Sequence, residues 1–259
     1  MTPQSNGKLG VGASLLRKED TRHLRGRGQF VADLRLPGTH DVAFVRSPHA
    51  HARIKGLTVP SHAQGRVFTA ADLPRLTELR AVPQVTGFRV SGYPPLAIEK
   101  VRFVGEAIAA CIAPTRAEAE DLATLVTVDY EVLPANIDAA VTANRPASLV
   151  HDSWGSNLFI EREFKGGDID EAARKAEVTV RRSYRMNRQV AVPLEGRAVL
   201  AHRDHRLDEL VVYNSTQVPH IIRLGLAEVL DLEERRIRVI APDVGAASAR
   251  RRGCRPRRR

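Results

Sequence analysis

The sequence is poor in cysteine: its 259 residues include only Cys111 and Cys254, far apart and in no CxxC pair. A disulfide framework, a four-cysteine zinc site and an iron–sulfur cluster built from this chain alone are thereby excluded, so any such centre belongs to a partner. No run of eighteen apolar residues occurs, and the leading MTPQSNGKLGVGASLL has no twin arginine, sustained apolar core or cleavage pattern. Neither membrane spanning nor secretion is expected, which leaves the cytoplasm. No internal repeat stands out. Acid is missing from one place: the last ten positions hold seven arginines and no aspartate or glutamate. The formal charge of +10 therefore misleads, because taking these seven from the 40 basic residues leaves 33 against 30 acidic. The body is a nearly neutral surface of mixed sign, not a nucleic-acid footprint.

What is present, 43% hydrophobic residues, suffices for one large domain or two modest ones. The first forty residues read as an extended, glycine-punctuated lead into a sheet. Residues 41–46 and 54–59 are short β-favouring runs, and 66–68 lead into a helical turn at 69–73. Residues 74–99, with Pro74, Pro83, Pro94 and Pro95, read as a long loop. The apolar run at 101–112, broken by Gly105, predicts a buried strand pair or one bent strand. Thr115 and Glu118 form a capping box before an amphipathic helix in which Ala117, Leu122 and Leu125 would pack inward. VTVDYEV alternates as a strand. Asp168 and Glu171 begin a second capped helix, and residues 179–188 alternate like a solvent-facing strand. Strands at 191–201, 209–213 and 237–240 and a helix over 219–230 complete the pattern. The fold class expected is α+β.

Few residues advertise chemistry on their own. His49 and His51 would share a face of a strand and could bind a metal, yet no third ligand is evident, so packing or hydrogen bonding at a strand end is favoured. Gly26 and Gly28 are too close for a dinucleotide fingerprint and lack its buried strand, so they read as turn chemistry. Glu195 beside Arg197 reads as a structural partner. Cys111 sits in an apolar run and should be an inert core thiol. Gln217 could cap the helix beginning near Pro219.

Several ordered segments carry a resemblance. They are RKEDTRHLRGRGQFVADLRLPG from residue 17, RSPHAHARI from 46, KVRFVGEAIAACIA from 100, VDYEVLPANID from 128, VPLEGRAVLA from 192 and STQVPHIIRLGLAEVLDLEERRIRVIAPDVG from 215. Together they resemble the amino-terminal part of the molybdenum-binding large subunit of the xanthine dehydrogenase and aldehyde oxidase family. The bacterial branch that includes aerobic carbon monoxide dehydrogenase is the most similar. Ala107 and Gly196 stand where that family usually has proline.

The resemblance implies a tail at 1–14, an α/β hammerhead domain at 15–135, a linker at 136–150 and part of the first molybdopterin-binding domain at 151–245. It also implies oxidation of a carbon centre of a small molecule (an aldehyde, a purine or N-heterocycle, or CO) with oxygen from water. The cofactor would be molybdopterin in its cytosine dinucleotide form, with electrons leaving through a 2Fe–2S small subunit and an FAD-binding medium subunit. Gln217 matches the glutamine that hydrogen-bonds an oxygen ligand of molybdenum, a task suited to a neutral amide donor. Gly245 matches the first glycine of the loop that approaches the pterin, where only bare backbone comes close enough to offer N–H groups. No catalytic residue and no direct metal ligand of the family falls in this chain, so it should be inactive alone.

Residues 246–259, AASARRRGCRPRRR, are low in complexity. Gly-Gly-Gly-Phe-Gly written GGC GGC GGC TTC GGC regroups, on losing one base, as GGC GCG GCT TCG GC. That reads Gly-Ala-Ala-Ser-Ala, the sequence from Gly245 to Ala249. The tail is therefore read as out of frame, which resequencing around codon 245 tests. The rival readings are a non-catalytic scaffold that docks partner subunits and, less favoured, a basic tail that binds nucleic acid.

Overall fold

The structure, a computed structural model, describes Val11 and residues 16–80, 85–138, 148–187, 189–190 and 192–245. The expected 1–14 tail, most of the 136–150 linker and the arginine-rich 246–259 tail thus lie outside the described residues, Val11 apart. Along the chain run α1 (Asp20–Leu24), β1 (Asp41–Arg46), β2 (Ala52–Thr58), β3 (Val67–Thr69), β4 (Leu79–Arg80), β5 (Gly92–Tyr93), β6 (Lys100–Val101) and β7 (Ala107–Ala113). They are followed by α2 (Arg116–Leu125), β8 (Thr127–Val132), α3 (Ile169–Lys175), β9 (Val199–Asp204), β10 (Glu209–Asn214), α4 (Pro219–Leu230) and β11 (Ile237–Ile240). The mixture of helix and antiparallel strand is the expected α+β class.

The apolar run around residue 105 resolves into two separate strands, β6 and β7. Gly105, at φ +87°, makes the turn that a side-chain-bearing residue would strain. The turn is pinned where Gly105 N–H donates to Ser47 O at 2.8 Å and Ser47 N–H to Glu106 O at 2.9 Å. β7 is central in the order β1-β7-β3, while β6 lies in a different sheet of order β6-β2-β8. Both faces of β7 are covered, which is why its sequence is apolar without alternation. Ala109, Cys111 and Ala113 pack with Ala119, Leu122 and Val126 at α2, and Ile108 packs on the other face with Ala52, Ala97 and Val101.

Thr115 caps α2 as expected, its hydroxyl accepting from Glu118 N–H at 3.3 Å. The buried stripe differs: Ala117 and Leu125 are exposed, and Ala119, Leu122 and Val126 face the core. The i, i+3, i+7 spacing is helical, but its phase is set by the sheet beneath. Residues 46–54 join strands of different sheets, since β1 pairs with β7 and β2 with β6 and β8.

The second region is a smaller sheet of order β11-β10-β9, in which β10 runs parallel to β11 and antiparallel to β9. α4 begins at Pro219 and ends at Leu230, as the periodicity predicts, with Pro219 in its first turn. The 74–99 loop crosses to it: Thr77 donates through N–H to Val229 O at 2.9 Å and through its hydroxyl to Glu228 O at 2.6 Å. Two expectations fail here. β9 begins at Val199 rather than 191, and residues 179–187 form no strand. The extended lead over the first forty residues contains instead α1 and a 3-10 turn at Val31–Asp33.

Candidate cofactor site

The parallel pair β10–β11 determines where the site residues fall. Its register matches Tyr213 with Ile240, so the segments that leave the two carboxyl ends, 215–218 and 241–245, emerge at one edge. β9 is antiparallel, with Val199 opposite Asn214, and therefore enters at that same edge from residues 195–198. Glu195, Gln217 and Gly245 are thereby assembled outside the carboxyl ends of two parallel strands, a place where α/β sheets bind ligands.

The backbone beneath Gln217 is firmly held. Ser215 and Thr216 are buried. Ser215 N–H donates to Ala198 O at 3.1 Å, and Ala198 N–H donates to Ser215 Oγ at 2.9 Å. Thr216 Oγ1 accepts from Val218 N–H at 3.1 Å. Val218, not Gln217, occupies the cap position of α4, and no side chain caps it there. The capping role considered for Gln217 is thus not observed. Its side chain is exposed at the sheet edge.

Gly245 is held by Glu195, the residue read from the sequence as a structural partner. Its N–H donates to Glu195 Oε2 at 2.5 Å, across fifty residues of chain. A Cβ at Gly245 would lie 3.0 Å from Glu195 Cβ and 3.3 Å from Phe30 Cε1, closer than ordinary packing permits. A side chain here would make Glu195 or Phe30 give way by a few tenths of an ångström, which favours glycine, and the Gly245 N–H is bonded to Glu195 in this structure. Glu195 lies before β9 rather than within a strand.

Two residues upstream, Asp243 fastens this edge to the amino-terminal segment. Arg22 donates to both carboxylate oxygens, the Nη2–Oδ1 bond measuring 2.6 Å. Gln29 N–H donates to Oδ2 at 2.7 Å, and Asp243 N–H returns a bond to Gln29 O at 3.0 Å. His23 Nε2 stands 3.4 Å from Oδ1. The Arg22 guanidinium first, and the Gln29 amide second, hold the Asp243 carboxyl far below the usual carboxylate range. Gly26, at φ +65°, ends α1 so that Gln29 and Phe30 can turn toward this clasp. That is the turn role expected of it.

The other candidates lie apart from this edge. His49 and His51 sit in the bend between β1 and β2 rather than on a strand. The His49 ring packs edge-on against Tyr130 at 4.9 Å. His51 is buried, its Nδ1 3.0 Å from Pro134 O and 2.9 Å from Ser148 Oγ, and burial lowers its pKa. Both therefore pack and hydrogen-bond. Cys111 is fully buried and its thiol is pushed up by desolvation, as expected of an inert core thiol. Among the described residues, no three His, Cys, Asp or Glu side chains cluster to hold a metal ion, and no helix is long and apolar enough to cross a membrane.

An α+β domain followed by a small mixed sheet is the class this chain defines, and comparison places it within a family. Residues 25–134 match the aldehyde oxidase and xanthine dehydrogenase a/b hammerhead domain, and residues 150–247 match the molybdopterin cofactor-binding domain. The chain belongs to the xanthine dehydrogenase and aldehyde oxidase family of molybdopterin-binding large subunits. It is 33% identical over 240 residues to the nicotine 6-hydroxylase large subunit of Paenarthrobacter nicotinovorans, covering 91% of this chain and 29% of that one. It is 36% identical over 253 residues to the carbon monoxide dehydrogenase large chain of Afipia carboxidovorans, covering 91% and 31%. Among solved structures, quinoline 2-oxidoreductase of Pseudomonas putida 86 superposes with a TM-score of 0.84 at 36% identity, covering 91% and 30%. The chain thus spans about 30% of the length of these relatives.

Proposed function

We propose that this chain supplies the hammerhead domain, residues 15–135, and the first cofactor-facing sheet, residues 151–245, of a cytoplasmic molybdenum hydroxylase, and that Gln217 and Gly245 face the cofactor. The observation that carries this reading is the shared edge of β10 and β11, from which leave both an exposed amide side chain and a glycine closely approached by Glu195 and Phe30. When bound, molybdopterin would supply oxidation of a carbon centre with oxygen taken from water. Gln217 would help to hold the cofactor with a neutral side-chain amide, a donor that adds no charge. Gly245 would let the backbone approach the pterin, and Glu195 keeps that backbone in place by accepting its N–H. Asp243 and Arg22 fix the strand exit from which the loop departs.

The relatives' names support the wider reading, since one is a large chain and another is subunit gamma of a 6-hydroxypseudooxynicotine dehydrogenase complex. Electron transfer to a 2Fe–2S subunit and an FAD subunit fits the scarcity of cysteine here. A cytosine dinucleotide form of the cofactor belongs to the same reading, as does inactivity of these residues alone. The test is the molybdenum and oxidised-pterin content of the chain purified from a host that makes the cofactor. Substoichiometric pterin, lost in Gly245→Val and reduced in Gln217→Ala, is expected. Pterin no higher than in an unrelated control protein overturns the cofactor assignment, and stoichiometric pterin with turnover overturns the inactivity.

A further inference from the structure

Residues 148–159 lie largely within the molybdopterin-domain match, yet they are strapped onto the hammerhead domain. The buried Lys100 donates through Nζ to Leu149 O at 3.1 Å and to Asp152 Oδ1 at 2.9 Å. Arg102 Nε donates to Val150 O at 3.2 Å. Arg89 donates through its side chain to Trp154 O at 2.7 Å and through its N–H to Phe159 O at 2.8 Å. Within the strap, Asn157 donates to Ser148 O and accepts from Val150 N–H, both at 2.8 Å, and the His151 ring stacks on Trp154 at 4.4 Å.

One titratable ring stands under the first residue of this strap. His51 is only 4% exposed. Its Nδ1 lies 3.0 Å from Pro134 O and 2.9 Å from Ser148 Oγ, and that hydroxyl donates to Pro134 O at 2.6 Å. A carbonyl oxygen only accepts, so Nδ1 carries the ring hydrogen and Nε2 carries the lone pair. Nε2 is buried and has no hydrogen-bond partner. A proton added there would place a charge where neither water nor an acceptor meets it. The charged neighbours sharpen that cost. Lys100 and Arg102, on β6 and just beyond it, oppose a positive ring, whereas Asp152 favours one. Asp152 is itself held by Lys100 and faced by Arg53 at 3.9 Å, and Glu131 of β8 is engaged by Lys55 at 2.8 Å. His151 sees the same Lys100, Arg102 and Asp152.

We propose that His51 is a pH-sensitive latch for this strap: as a neutral ring it holds Ser148 and keeps residues 148–159 docked, and proton uptake at Nε2 releases them. Burial first, then Lys100 and Arg102, keep the docked ring below its ordinary pKa against the opposing pull of Pro134 O and Asp152. A released ring returns to about 6.5, so the docked state binds fewer protons. Docking is therefore strongest above that value and weakens as pH falls from it toward the lower pKa of the docked ring. Lys100 holds the Asp152 carboxyl below the usual carboxylate range, so its charge stays constant over this interval. The latch does not depend on Gln217, Gly245 or a bound cofactor.

The test follows amide exchange of residues 148–159 in the full chain from pH 7.5 to 5, each rate divided by the intrinsic rate at that pH. Acrylamide quenching of Trp154, the single tryptophan of the chain, is read in the same samples. Exposure of the strap should rise about tenfold over this range while the amides of β7 stay unchanged, the response expected for one proton taken up on release. The rise should begin near pH 6.5 and level off where the His51 ring resonances titrate. His51→Asn can still donate to Pro134 O but takes up no proton, so it should flatten the response, and His151→Gln should keep it. Unchanged exchange at 148–159 down to pH 5 overturns the proposal, as does release that persists in His51→Asn or disappears in His151→Gln. Equal opening of β7 overturns it as well, because acid would then be unfolding the domain. A His51 ring that titrates at or above about pH 6.5 overturns it in the wild-type chain alone, whatever the stability of the variants.

Discussion

The hammerhead region and the region after residue 150 share one chain and similar apolar content but bury it very differently. In the first, β7 has α2 on one face and β2 with β6 on the other, so alanines and Cys111 are sealed from water. In the second, Val211, Val212, Ile222 and Ile237 are the buried apolar residues among those described, and every residue from 161 to 187 is exposed. The difference teaches that an alternating pattern states what a segment can bury, while the number of sheets within reach decides whether it does.

The largest effect that could break this contrast is proteolytic. Arg181, Arg182 and Arg185 are exposed and outside any helix or strand. Trypsin should cut there faster than within residues 41–132 by at least on the order of 100-fold, because a packed site must first open. A surviving core ending between residues 135 and 160 is expected by mass spectrometry; equal resistance along the chain would erase the distinction. Paired truncations sharpen it. Leu122→Ala, on the buried face of α2, should cost about 2–5 kcal/mol in denaturant unfolding, whereas Val180→Ala should stay within about 0.5 kcal/mol. Comparable losses would mean that residue 180 is packed.

A smaller effect separates the regions by pH. Glu106 is buried in the turn after β6, its Oε2 accepting from Arg102 N–H at 2.5 Å while Oε1 has no hydrogen-bond partner. Desolvation raises its pKa. The native state therefore binds more protons than the unfolded state above the unfolded value of about 4.3, so this group's contribution to stability is full below that value and is lost as pH rises through the folded pKa. Glu106→Gln should match wild type near pH 4 and exceed it at pH 7 by about 1–2 kcal/mol. Equal stability at both would place the carboxyl in water.

Legibility followed sequence distance. β1, β6, β7, α4 and β11 were readable because turn residues, caps and periodicity act within a few positions. The phase of α2 was not, since the sheet decides whether Ala117 or Ala119 turns inward. The separation of β1 from β2 was hidden too, because both partners are remote. At the candidate site, Gln217 and Gly245 were singled out only through resemblance. Glu195 was read as a structural partner, and which amide it would hold was not legible because the Gly245 N–H is fifty residues away. Arg22 and Asp243 are separated by 221 positions, and nothing local joins them.

That long-range clasp supplies the smallest and most local test, because it is where the second region is tied to the amino-terminal segment rather than left open. The Asp243 carboxyl is depressed below its unfolded value by Arg22 and the Gln29 amide. A depressed carboxyl contributes stability that is present above the unfolded pKa, near 3.9, and lost as pH falls through the folded value. The Gln29 amide resonance, whose N–H donates to Oδ2, should accordingly stay constant from pH 7 to 5 and move only below about pH 4. Asp243→Asn can still accept from Gln29 but replaces the two charged oxygens facing Arg22 with one neutral oxygen and an NH2, so the acid transition should vanish while the fold persists. Hydrogen exchange at Gln29 and at Gly245 should then rise together, because both amides lie along one strand exit. A rise at Gln29 with Gly245 unchanged would show that Glu195 alone holds the candidate loop, and would separate the clasp from the site it adjoins.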